Sequence, residues 1–317
     1  MNKQFDFEFL HDYIVDEKIT DINFNGKTLW VDHLEKGRYQ EILNITDEII
    51  EKFCYKLANQ TNKQFNNTYP ILESETDDLR ISVIHKSIAA SGYSISIRKT
   101  PPVMRLNKQL LIRQNYASGQ LINYLKELVE KRNNIVVSGL PGVGKTELVK
   151  FLTTHIAPNQ RVITIEDSLE IRYSKLHPNK DGLMLKVNSN LDYRQAIKAC
   201  LRQRPDWLLL SEVRGVEVVE LLQAVSTGAN LISTIHADNA KVIPKRILHM
   251  FPGNEITNDK LLFNIHESID YGIHIKSIID ETGIKRYIDQ VCQFYVKEDM
   301  YHTKNIYTFK SGFIKEK

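Results

Sequence analysis

Cysteine is scarce in this chain. Its three copies, Cys54, Cys200 and Cys292, stand far apart and in no Cys-x-x-Cys pair. That spacing argues against a zinc site and against a disulfide framework. Cys54 and Cys200 fall in helical patterns and read as small core residues. Long apolar runs are missing too. The longest stretch without a formal charge, Leu221 to Ala237, is studded with Gln, Ser, Thr and Asn, whereas a spanning helix needs about 20 predominantly apolar residues. The opening MNKQFDFEFLHDYIVDEK is charged throughout and has no apolar signal-peptide core. The expected location is cytoplasmic, with any membrane contact peripheral, at the inner face of the cell membrane. A strong charge imbalance is absent as well. The net charge of +3 is too small to argue for nucleic acid or membrane.

What is present is the composition of a soluble globular protein, 42% hydrophobic and 26% charged. With 317 residues there is room for two ordinary domains and a sizeable core. Residues 1–100 carry 12 Lys/Arg against 16 Asp/Glu, and the remainder 30 against 23. A mildly basic second part suits an anionic ligand, although solvated surface lysines explain it equally well.

The pattern predicts an N-terminal α+β domain over 1–100, a linker over 101–117 and a P-loop domain over 118–317. In ITDINFNGKTLWV, Asn25-Gly26 between apolar runs signals a hairpin, because both residues tolerate positive φ. TDEIIEKFCYKLANQ places Ile49, Ile50, Phe53, Cys54, Leu57 and Ala58 on one helical stripe, with Thr46 as its cap. LRISVI and YSISIR alternate strictly, which puts Arg80 and Arg98 on the polar faces of half-buried strands. Pro101-Pro102 then breaks the pattern. Beyond it, strands at 135–138, 161–165, 207–211 and 230–235 alternate with helices at 146–154, 192–203 and 215–226. That alternation means βαβ units and a mostly parallel sheet covered on both faces. The tail reads as antiparallel strands extending the sheet.

The stretch GLPGVGKT, Gly139, Leu140, Pro141, Gly142, Val143, Gly144, Lys145 and Thr146, fits G-x-x-x-x-G-K-[ST] between a strand and a helix. In such a loop, backbone N–H groups wrap phosphate oxygens and the helix N-terminus adds its positive end. Lys145 is expected to reach the β- and γ-phosphates, and Thr146 to offer its hydroxyl to Mg²⁺. Other strands end in reactive groups: RVITIEDSLEI at Glu166-Asp167 with Glu170 beyond, DWLLLSE at Glu212, and NLISTIH at His236. Parallel sheets bind ligands beyond the carboxyl ends of their strands. A carboxylate there holds Mg²⁺ through water, and a second orients or deprotonates the attacking water. Taken singly, each group reads equally well as a helix cap. Glu212 is expected in the Walker B position, as a Mg²⁺ ligand beside Thr146. Arg214 is expected to bridge subunits or to pair with Glu217. Four further histidines, His155, His249, His266 and His274, show no ligand spacing.

These motifs resemble those of the secretion-superfamily ATPases of type II and type IV secretion systems and type IV pili. TIEDSLEI resembles their acidic box, SEVRG their Gly-Glu-x-Arg Walker B, STIHADNA their histidine box and LRQRPD the helix end before Walker B. Without an N-terminal extension or a tetracysteine zinc element, the chain is most similar to the short conjugation and type IV secretion traffic branch. The resemblance implies an ATP hydrolase with a RecA-like P-loop NTPase domain and a smaller N-terminal α+β domain, working as a homo-oligomer, a hexamer. It implies Arg80 and Arg98 on the terminal phosphate of ATP held between the domains, and inner-membrane channel components as partners. Ser211 stands where the family has glycine, and Glu147 follows the loop as an oddity. The general base is Glu166 or Glu170. A nucleic-acid motor, hexameric helicase or AAA+ type, competes through GLPGVGKT. No cluster of basic and aromatic residues marks a DNA path, so direct nucleic-acid binding is not indicated. A regulatory subunit that binds ATP without turnover competes less well, because the acidic residues are intact.

Overall fold

The computed structural model describes residues 5–43, 45–253, 257–280 and 283–314. The chain forms two compact units, Met1–Pro101 with Ile279–Ile284, and Pro102–Ile278 with Lys285–Lys317.

The first unit is built on a six-stranded antiparallel sheet. Its strands are β1 (Ile19–Phe24), β2 (Leu29–His33), β3 (Gly37–Glu41), β4 (Ile71–Glu75), β5 (Leu79–Ile84) and β6 (Ser94–Lys99), in the spatial order β3-β2-β1-β6-β5-β4. Alternation decides which face is buried. Leu79, Ile81 and Val83 of β5 and Ile95 and Ile97 of β6 enter one core with Ile50, Phe53, Cys54 and Leu57 of the helix Asp47–Gln60. Ile49 leaves the expected stripe and is exposed, and Thr46 is the N-cap without a side-chain capping bond. The β1–β2 hairpin forms at Asn25-Gly26 as the sequence predicts. Gly26 has φ +94°, and a Cβ there would sit 2.3 Å from the Ser91 carbonyl oxygen. Only glycine fits.

The second unit carries a nine-stranded sheet. Its strands are β7 (Ile135–Ser138), β8 (Val162–Glu166), β9 (Gly182–Lys186), β10 (Trp207–Leu210), β11 (Asn230–Ile235), β12 (Tyr271–Asp280), β13 (Gly283–Lys297), β14 (Met300–Thr308) and β15 (Gly312–Phe313). The order is β15-β14-β13-β12-β7-β11-β10-β8-β9. Successive residues feed opposite cores: Ile135, Val137, Trp207 and Leu209 on one face, Val136, Leu208 and Leu210 on the other. Burial on both faces explains why these strands read as unbroken apolar runs. The tail departs from expectation at its first strand. β12 pairs parallel to β7, and antiparallel pairing is seen between β13 and β14 and between β14 and β15. Residues 102–117 group with this unit and include the helix Lys108–Arg113, capped by Asn107.

All three cysteines are buried and free, and burial pushes each thiol up to about 12, which leaves them inert. Among the described residues no helix is long and apolar enough to cross a membrane.

Candidate active site

β7 lies between β12 and β11, and the loop after it opens at the carboxyl edge of the sheet. Chain geometry there depends on glycine. Gly139 has φ +154°, and a Cβ would stand 2.7 Å from the Ile275 carbonyl oxygen. Gly144, at φ +91°, turns the chain into the helix Lys145–Thr153. The helix begins at Lys145, so its first amides have no acceptor within the helix and stand next to the loop.

Lys145 lies folded onto that loop, its ammonium donating to the carbonyls of Gly139 at 3.0 Å and Leu140 at 3.2 Å. Burial depresses its pKa, and the nearby carboxylates of Glu212 and Glu170 oppose that effect. His236, just past β11, reaches the same place: its Nδ1 is 3.3 Å from the Lys145 ammonium, and its Nε2 is 2.8 Å from Glu212 Oε1. With the proton on Nε2 it donates to the carboxylate and Nδ1 accepts from lysine. The second oxygen of Glu212 accepts from Arg214 Nε and Nη2, each at 2.8 Å. Arg214 Nη1 then donates to Asp167 Oδ2 at 2.8 Å, just past β8. One chain of polar contacts thus runs Lys145–His236–Glu212–Arg214–Asp167 across the ends of four strands. The expected Arg214–Glu217 pairing is corrected: the Glu217 carboxylate accepts from the backbone N–H of Arg214 and Gly215, and the guanidinium points elsewhere.

Beside this chain, the Thr146 hydroxyl donates to Glu170 Oε2 at 3.1 Å. Thr146 is therefore paired with Glu170, while both oxygens of Glu212 are engaged by His236 and Arg214. Glu166 behaves differently. It is wholly buried, and its Oε2 accepts the backbone N–H groups of Glu170 and Ile171, each at 2.8 Å. Its other oxygen has no partner, and burial lifts its pKa to about 7. Glu166 thus folds the loop that presents Glu170.

Two links escaped the sequence reading. Tyr193 opens the helix Tyr193–Leu201; its hydroxyl accepts from the Asp167 N–H at 3.1 Å and lies 3.1 Å from the Ser211 hydroxyl. Ser211 thereby ties the end of β10 to the end of β8. Glu147 accepts from the buried Lys150 at 2.9 Å through one oxygen, so the odd carboxylate after the loop has its counter-charge within its own helix, while its other oxygen is buried without a hydrogen-bond partner. Of the unassigned histidines, His274 is buried against the Ser138 hydroxyl at 2.9 Å, and His266 lies close to the Leu262 carbonyl and the Thr303 hydroxyl.

In the first unit, Arg80 and Arg98 are direct cross-strand partners on the exposed sheet face. Asp21 is the register partner of Arg98 on β1, and Glu75 that of Arg80 on β4. A row of acid, base, base, acid crosses four strands. The Arg98 Nε donates to Asp21 at 2.8 Å. Like charges placed opposite one another destabilise a sheet, and the flanking acids offset that.

Oxygen ligands suit Mg²⁺, which keeps several waters and binds through one or two carboxylates plus phosphates. Among the described residues no three His, Cys, Asp or Glu gather to hold a metal alone. Thr146 and Glu170 fit the smaller share such an ion takes from protein.

A doubly covered, mostly parallel sheet, a glycine loop opening a helix and polar groups at the neighbouring strand ends define a RecA-like P-loop domain, here preceded by a smaller α+β unit. The type II/IV secretion system protein model matches residues 65–306, and the chain belongs to that family of secretion ATPases. An uncharacterised Bacillus anthracis protein is 30% identical over 319 residues, covering 94% of this chain and 71% of that protein. The type IV secretion system protein VirB11 of Brucella suis is 24% identical, over 90% of this chain and 89% of VirB11. The X-ray structure of the Legionella pneumophila ATPase DotB shares the fold, with a TM-score of 0.64 at 16% identity, over 94% of this chain and 84% of DotB.

Proposed function

We propose that this protein is a Mg²⁺-dependent ATPase that works as a cytoplasmic hexameric ring and drives a type IV secretion or conjugation channel, or a related type II or pilus apparatus. The observation that carries it is the polar chain from Lys145 to Asp167, with Thr146 and Glu170 beside it. These groups converge on the loop where phosphate would lie. Family membership does not favour a nucleic-acid motor.

On this reading the loop amides hold the β-phosphate, and Lys145 leaves its carbonyl contacts to reach the γ-phosphate. Mg²⁺ would be held by Thr146 with Glu170 close by, and neutralises phosphate charge when bound. Glu170 orients or deprotonates the attacking water, because it is half-exposed while Glu166 is closed off. Glu212 and His236 register the terminal phosphate through Lys145. Arg80 and Arg98 supply positive charge to that phosphate, in the same subunit or its neighbour. Channel proteins of the inner membrane are the partners, reached peripherally.

ATP hydrolysis and ATP affinity, measured on four variants, test this. Lys145→Ala should abolish turnover with the fold intact. Glu170→Gln should keep ATP affinity and lose about 10²–10⁴-fold in rate. Arg80→Ala and Arg98→Ala should bind ATP nearly normally but hydrolyse it poorly. Wild-type turnover by folded Lys145→Ala would falsify the assignment.

A further inference from the structure

One side of the phosphate loop is explained by the polar chain through His236, and the other is not. β11, which carries His236, lies next to β7 on one flank; on the other come β12 and then β13. Arg286 on β13 lies against the loop itself, its Cδ 3.8 Å from where a Cβ on Gly144 would be. It is half-buried and makes no hydrogen bond or ion pair with any described residue. Arg105 is close enough for the two guanidinium groups to repel, and its Nη2 is buried without a partner. Among the described residues, the acid in electrostatic reach of the neighbouring Tyr116 is Glu147; Lys150 takes one of its oxygens, and the other is buried without a hydrogen-bond partner. Two arginines therefore share a partly buried place, and among the described residues neither has a carboxylate partner.

An unpaired buried charge is costly, and removing a partner from a buried pair leaves that cost in full. An anion arriving from solvent removes it. The planar fork of arginine matches phosphate oxygens in two bonds. On the nucleotide-binding reading, Lys145, His236 and Glu212 would meet the γ end of the phosphate tail, toward β11 and β10. The opposite flank, with Arg286, would then face the end of the tail nearest the nucleoside.

We propose that Arg286 and Arg105 form an anion subsite on the β13 side of the phosphate loop, and that its ligand is the α-phosphate of the bound nucleotide, touched by Arg286. This rests on the nucleotide-binding reading above. It also assigns the position after Thr146 a reason for tolerating an acid. Lys150 keeps Glu147 away from the ligand, and the arginines supply the charge that position does not.

The test is calorimetric binding of ATP and of inorganic tripolyphosphate to full-length wild type, Arg286→Gln, Arg286→Lys and Arg105→Gln, with melting temperatures of each without ligand. Arg286→Gln should weaken both ligands by about 10- to 100-fold. Arg286→Lys should lose less, and Arg105→Gln should lose less than Arg286→Gln. Without ligand, Arg286→Gln should melt no lower than wild type, because it removes an uncompensated charge. Loss of ATP affinity with tripolyphosphate unaffected would place Arg286 on the base and overturn the assignment. Unchanged affinity for both, or a lower ligand-free melting temperature, would overturn it as well. If wild type binds neither ligand, the nucleotide reading itself fails, and that outcome is distinguishable from the others.

Discussion

Glu166 and Glu170 are four residues apart and have opposite surroundings. The first is shut in the protein with one oxygen unpartnered, and the second meets the Thr146 hydroxyl. Burial, opposed by the N–H bonds of Ile171 and Glu170, lifts the Glu166 carboxyl from its ordinary 4.5 to about 7. A carboxyl whose folded pKa exceeds its unfolded one binds the proton more tightly when folded. Its stabilising contribution is whole below 4.5 and is lost as pH rises to about 7. Glu166→Gln keeps an acceptor for both amides, so denaturant titrations from about pH 4 to pH 8 should show a flatter stability curve than wild type. An unchanged slope would mean that the carboxyl does not titrate there. The motif made these two glutamates visible in the sequence. Their division of labour was not, because burial depends on how the loop 166–171 closes.

At the level of elements, β7 and β11 begin and end where the sequence places them, since short uncharged, β-branched-rich runs bounded by Asn, Gly and His leave little choice. The helix expected from 215 begins at Val218, because Glu217 first draws in the amides of Arg214 and Gly215. β9 went unread: GLMLK is a half-buried edge strand amid Asn, Lys and Asp, without a periodicity to mark it. The Tyr193–Ser211–Asp167 link was equally invisible, since its members lie on three elements and bear no spacing rule. The helix that presents Tyr193 is fixed by a capping box of Asp192 and Gln195. Asp192→Ala should cost about 0.5–2 kcal/mol in equilibrium unfolding. In the other unit, Gly26→Ala meets both an unfavourable φ and the Ser91 carbonyl. It should destabilise that unit by about 1–3 kcal/mol, read by chemical denaturation, while leaving ATP affinity unchanged.

For the molecule as a whole, the family and the α+β-then-RecA-like order were legible in the chain, because four motifs fall at the ends of predictable strands. Assembly is a separate matter. If the arginines of the first unit act across a subunit boundary, turnover per subunit should rise with protein concentration and level off when rings are complete. Light scattering during turnover checks this, and a monomer hydrolysing ATP at full rate would exclude it. The sheet order has another consequence, in time. Ile135 of the central strand pairs with Ile232 on one side and Tyr271 on the other, partners that arrive late along the chain. Such distant pairings are slow to form, and the phosphate loop has its neighbours only once they exist. On the nucleotide-binding reading, a nucleotide would therefore meet no site while this unit folds and the phosphate loop's site afterwards. Saturating ATP should leave the refolding rate of this unit as it is and slow its unfolding, so that ligand lengthens the lifetime of the native state without hastening its birth.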